Sequence, residues 1–236
     1  MLRKIIYIGV VSFLLFACKS EDYHYREYLK DAEQYYPGAL DSLVLYPGNG
    51  RGQVHMKLST DPKITKLRLV VANDMSAVLD TIFYDVSPSE IGKVKSVYLE
   101  NLKETRYTVS VRGFSAEGDS SKAVSTTAAI EGERYAGTIQ SLNRVFSYFT
   151  TSPSGNKQAV FLVETVGSGF APLQGTWVYF TRNDETRDSV YLQAIDFAVG
   201  FPSDMKPTGS ISFISLYKKT ANSLDPFETE EKIIDY

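Results

Sequence analysis

A single cysteine in 236 residues excludes any internal disulfide, so packing alone must hold the folded chain. Only two histidines occur, His24 and His55, and they form no His-x-x-x-His or Cys–His spacing for a metal; no cofactor is expected. No phosphate-cradling glycine loop is present, and Gly167-Ser168-Gly169 lacks the outer glycines of a nucleophile elbow. Basic residues are neither in excess, at 25 against 28 acidic, nor clustered along the chain. A formal charge of −3 therefore argues against nucleic acid as a partner. Tryptophan is nearly absent as well, with one residue against 16 tyrosines and 13 phenylalanines. What the chain does have is an aromatic-rich, strand-favouring composition, with 43% hydrophobic residues to fill a core.

The clearest pattern lies at Tyr107 to Ser115. Tyr107, Val109 and Val111 alternate with Thr108, Ser110 and Arg112, the period of a strand with one face buried. Leu102 lies five residues upstream, where a sandwich strand enters across a corner and a buried tyrosine bonds back to earlier backbone. Glu117-Gly118-Asp119-Ser120-Ser121 then turns the chain. This stretch resembles the penultimate strand and following turn of a fibronectin type III domain. Before it, Ser42–Tyr46, Gln53–Leu58, Leu67–Val71, Val78–Tyr84 and Ser96–Leu99 read as short strands, and Ala123–Ile130 follows it. Val54, Met56 and Leu58 share one face and leave His55 outside.

At the N-terminus, Arg3 and Lys4 precede an apolar run from Ile5 to Phe16, 12 residues and too short to span a bilayer. Leu15-Phe16-Ala17-Cys18 resembles a bacterial lipobox, which implies acylation of Cys18 and a lipid-anchored chain. The acidic Lys19-Ser20-Glu21-Asp22 resembles an export signal of Bacteroidetes lipoproteins. It implies an outer-membrane lipoprotein displayed at the cell surface, with the periplasmic face as the alternative. Tyr25, Tyr28, Leu29, Ala32 and Tyr36 recur at helical spacing in a tether that Pro37-Gly38 ends.

Further motifs carry a closer resemblance. Tyr36-Pro37-Gly38, Asp41-Ser42-Leu43, Tyr46-Pro47-Gly48, the run Leu58 to Ile64, the Asn73 turn and Asp225-Pro226-Phe227 are similar to a Bacteroidetes lipoprotein family. It is known as domain of unknown function 4998, is fibronectin type III-like, and brings no activity with it. The chain departs from that family at Met56, where a tryptophan is usual, and at Val70-Val71-Ala72, where an aromatic pair is common.

After a short polar linker, Glu131 to Gly137, the strand grammar repeats in Gln158–Val166, Thr176–Thr181, Ser189–Ala194 and Ser210–Tyr217. The expected fold is all-β: two tandem fibronectin type III/immunoglobulin-like antiparallel sandwiches after a lipoprotein signal and a short tether. The boundaries read 1–17 for the signal peptide, 18–38 for anchor and tether, 39–132 for the first sandwich and 137–236 for the second.

Trp177, with Tyr179 beside it, carries two readings. An exposed tryptophan among tyrosines is a stacking platform for a sugar ring, and both residues are candidate ligand contacts. Core or inter-domain packing is the commoner fate of such a residue, and the Trp177-Val178-Tyr179-Phe180 run leaves the inward face open. Asp41-Ser42, Asp80-Thr81 and Asp188-Ser189, each followed by an apolar residue, resemble acceptors of O-glycosylation in exported Bacteroidetes proteins, which makes Ser42, Thr81 and Ser189 candidates.

Together these features lead to a non-enzymatic, monomeric, lipid-anchored surface module for binding or spacing, with the membrane and a glycan or surface protein as partners. The alternatives are a structural subunit that pairs through an edge such as Lys232–Tyr236, and a hydrolase whose carboxylates meet only in the fold.

Overall fold

The computed structural model describes residues 36–162 and 173–236, the side chains of Ser76 and Ala77 excepted. The signal, Cys18, His24, most of the tether and Gly167-Ser168-Gly169 lie outside the described residues.

Alternation builds the first sandwich. Strands β1 (Ser42–Pro47), β2 (Gly52–Lys57) and β5 (Val94–Leu99) form one antiparallel sheet in the order β1-β2-β5. Strands β3 (Lys66–Asn73), β4 (Ser76–Asp85), β6 (Arg106–Phe114) and β7 (Val124–Ala129) form the other, in the order β4-β3-β6-β7. Val54, Met56, Leu58, Leu67, Leu69, Tyr107, Val109 and Val111 bury their side chains between the sheets. Met56 is thus a core residue. So is Val71, whereas Val70 faces outward on β3 and is half-buried. The Tyr107 hydroxyl accepts the Lys103 amide at 3.0 Å, tying the strand to its upstream corner.

The recurring motifs around this core dock on one another. The Asp61 carboxylate accepts the Gly38 amide at 2.7 Å and the Lys63 amide at 3.0 Å, and these bonds hold it below the usual carboxylate range. A side chain at residue 38 would press on Ser59 and Asp61, so a glycine fits the close approach there. Asn73 closes the β3–β4 hairpin by accepting the Met75 amide at 2.9 Å.

Beyond β7 the structure departs from an extended linker. Glu131 pairs with Asn49 in an isolated parallel bridge, and helix α1 (Glu133–Ile139) follows. The Glu104 carboxylate accepts the Arg134 and Tyr135 amides at 2.7 and 3.1 Å, satisfying donors at the start of the helix. At seven residues α1 is too short to show a helical period in sequence.

The second half repeats the arrangement. Strands β8 (Phe146–Thr151), β9 (Lys157–Phe161) and β12 (Ala198–Gly200) pair in the order β12-β9-β8. Strands β10 (Leu173–Thr181), β11 (Arg187–Gln193), β13 (Ser210–Tyr217), β14 (Phe227–Glu228) and β15 (Lys232–Asp235) form the larger sheet. Its order is β11-β10-β13, with β14 and β15 both on β13. Read strand for strand, each half pairs its first, second and fifth strands in one sheet. The third strand lies between the fourth and sixth in the other, which is the fibronectin type III order. Phe161, Val178, Phe180, Leu192, Phe201, Ile211 and Phe213 fill the second core. The C-terminal segment is used internally: β15 pairs with β13, and the Tyr236 hydroxyl donates to the Lys206 carbonyl at 3.1 Å.

Both cores belong to one compact unit, Pro37–Tyr236. Asp225 joins them, accepting the Asn49 amide at 2.9 Å and Arg51 through Nε at 3.0 Å and Nη2 at 2.6 Å. Glu131, fully buried, accepts the Ser223 hydroxyl at 2.5 Å. Phe227 packs edge-on against Tyr135 at 5.0 Å. The Asp225-Pro226-Phe227 motif is therefore a clasp between the halves. Among the described residues no helix is long and apolar enough to cross a membrane.

Candidate binding face

Register decides what the sequence left open. Val178 and Phe180 point into the second core, so Trp177 and Tyr179 face outward on β10. Trp177 keeps 37% of its surface exposed, which sets the core-packing reading aside. Across the outer face Trp177 stands between Tyr191 on β11 and Ile214 on β13; Tyr179 stands between Ser189 and Ser212, with Ile233 of β15 beyond.

Each ring is fixed by its neighbours. The Tyr191 phenol lies over Gly175, where a Cβ would overlap it, and donates to the Gln174 carbonyl at 3.0 Å. That pose brings its ring to 4.8 Å from Trp177. Further along β10, the Arg187 guanidinium lies 4.3 Å from the Tyr179 ring centre, a cation–π contact. Its Nη2 donates to Glu231 Oε1 at 2.7 Å and to Ser212 Oγ at 3.3 Å. Tyr179, Arg187, Ser212, Glu231 and Ile233 border a depression of about 290 Å³.

Beneath the face runs a buried polar network. Thr176 and Ser215 share a hydroxyl bond at 3.0 Å, and Ser215 donates to Asn143 at 2.7 Å. Asn143 donates to the Phe213 and Glu230 carbonyls at 2.9 and 2.8 Å. Buried Arg144 spreads its guanidinium over the carbonyls of Asp196, Gln193 and Ala194, at 2.5, 2.8 and 2.8 Å. Burial pushes its pKa down, against the opposing pull of nearby Asp196. Apart from Arg144 Nε, which is buried without a hydrogen-bond partner, these bonds hold the sheet in one geometry.

The remaining candidates fall elsewhere. Ser42 is exposed where β1 begins, and Thr81 is exposed in the middle of β4. Ser189 is half-buried on β11 beside Tyr179. His55 faces outward on β2, its ring 4.8 Å from Tyr46.

Carboxylates gather at two places. Arg182 pairs with both Asp188 and Asp204, and this contact holds Asp188 below its usual range. The other is a depression of about 550 Å³ bordered by Glu104, Glu131 and Glu133, where burial raises Glu131 above the usual carboxylate range.

The sequence did not single out Tyr191, Gly175, Arg187 or Glu231. The one signal available was a glycine two residues before an aromatic on a strand, a common site of close approach by another side chain.

By sheet order and core the protein is a tandem fibronectin type III-like module. The chain belongs to the family of domain of unknown function 4998, whose model matches residues 18–227. Among solved structures it is similar to chicken CNTN1 FN1–FN3 domains, at 12% identity over 87% of this chain and 69% of that one, with a TM-score of 0.46. It is also similar to a two-domain fibronectin type III segment from chicken tenascin, at 12% identity over 84% of this chain and 98% of that one, with a TM-score of 0.33. No curated protein matches the chain.

Proposed function

We propose that this protein is a lipid-anchored module of the outer membrane surface that captures neutral oligosaccharide on the outer face of its second sandwich, without catalysis. The observation that carries the reading is the fixed outward row of Tyr191, Trp177 and Tyr179. Sugar rings present an apolar face that stacks on such aromatics, and their hydroxyls need donors and acceptors close by. Arg187 supplies donors, Glu231 an acceptor and Ser212 both. The Arg187–Glu231 pair cancels its own charge, which favours a neutral sugar over an acidic one. Two residues along a strand span about 6.8 Å, so Trp177 and Tyr179 offer places for adjoining rings.

Anchoring rests on the lipobox at Cys18, and surface display on the acidic residues after it. Ser42, Thr81 and Ser189 stay candidates for O-glycosylation, which intact-mass measurement of native protein tests through hexose-sized additions.

Calorimetry of the purified protein against a glycan panel tests the binding reading: heat with a neutral oligosaccharide supports it, and uniform silence overturns it. Cell fractionation of Cys18→Ser tests the anchor. The variant is expected to leave the membrane fraction, and its retention there would overturn the anchor alone.

A further inference from the structure

On the first sandwich, register produces a juxtaposition that linear charge counting does not reveal. Arg68 of β3 and Arg112 of β6 are direct cross-strand partners on the outer face of the larger sheet. Directly opposed residues of neighbouring strands hold their Cβ atoms about 4.5–5.5 Å apart, and like charges placed so are destabilising. Among the described residues no carboxylate forms an ion pair with either guanidinium; the nearby Lys66 is the one that faces Asp85, at 3.9 Å. The chain as a whole is acidic, so this pair is not part of a general positive field.

Aromatic rings and hydroxyl groups flank the pair. Arg68 is half-buried, its guanidinium 5.2 Å from the Phe114 ring centre and its Nε buried without a hydrogen-bond partner. On its other side β4 places Phe83, 59% exposed, directly opposite. One row along β6 the Ser110 hydroxyl accepts that of Ser125 at 3.1 Å, which puts hydroxyl groups beside the charges. Two forked donors, hydroxyls and an exposed ring match an oxyanion attached to a flat or apolar body, because guanidinium forks bind carboxylate, sulfate and phosphate bidentately.

We propose that Arg68 and Arg112 form a binding site for an oxyanion, a carboxylate, sulfate or phosphate group whose carrier lies against Phe83. The bound anion relieves the repulsion between the two guanidiniums. The site is on a different sandwich from the aromatic face and stands independently of the oligosaccharide reading.

Thermal unfolding of the purified protein tests it, in sodium sulfate, phosphate, acetate and benzoate against chloride at equal ionic strength. The expected result is a rise of about 2–4 °C with at least one oxyanion, which a ligand of the folded state produces by mass action. Benzoate exceeding acetate identifies a ring-bearing carboxylate as the source, and sulfate or phosphate exceeding both identifies those esters. Arg112→Gln, at an exposed position, is expected to unfold at a higher temperature in chloride and to lose the oxyanion response. No oxyanion response in the native protein overturns the proposal. So does an equal response in Arg112→Gln, because sulfate and phosphate also stabilise proteins generally by exclusion from their surface.

Discussion

The Tyr191 hydroxyl sits above Gly175, in the space a side chain there would occupy, and is held by the Gln174 carbonyl at 3.0 Å. Gly175→Ala must push the phenol aside and with it the ring that leans on Trp177 at 4.8 Å. A loss of about 1–3 kcal/mol is expected, the usual cost of overpacking, read from the denaturant midpoint. Because Trp177 is the only tryptophan, its emission should change in the same variant.

Asp225 holds the two halves together through Arg51 and the Asn49 amide. Asp225→Ala removes three bonds, but the exposed Asn49 amide and the partly exposed Arg51 guanidinium can turn to water instead. The expected effect is a loss of about 0.5–1.5 kcal/mol for the bonds themselves, with calorimetric unfolding broadened as the halves separate in stability.

Glu131 makes stability depend on pH in the opposite sense to the paired carboxylates. Its raised folded-state pKa means that the folded protein keeps a proton the unfolded chain has released. Its contribution is fully present below the ordinary glutamate range near 4.5 and is lost as pH rises through the higher folded value. Asp61, Asp188 and Asp225, whose pKa values are lowered, contribute stability above the ordinary aspartate range and lose it on acidification. Glu131→Gln keeps an acceptor for Ser223 and carries no charge. It should unfold at a higher temperature than the native protein at pH 7, and the difference should vanish near pH 4.

Much of the first sandwich is legible in sequence because its buried positions alternate cleanly, as in Val54-His55-Met56 and Tyr107-Thr108-Val109. The second half is harder. In β8, Phe146-Ser147-Tyr148-Phe149 places apolar residues on both faces, and a register shift lies between Phe146 and Tyr148. Trp177 and Tyr179 were visible as candidates, but their direction was not, since Val178 and Phe180 are equally apolar. Neither the partners of the aromatic row nor the Arg68–Arg112 pair is local in sequence. Strand register alone creates them.

The central claim is that the outward row on β10 binds sugar, and Trp177 reports on it directly. Titration of the purified protein with neutral oligosaccharides should give a saturable change in tryptophan emission with at least one of them. Calorimetry with that sugar should show at least about tenfold weaker binding, roughly 1.4 kcal/mol, for Trp177→Ala and Tyr179→Ala. A panel that leaves emission unchanged and evolves no heat, or a Trp177→Ala variant that binds as tightly as the native protein, would contradict the account.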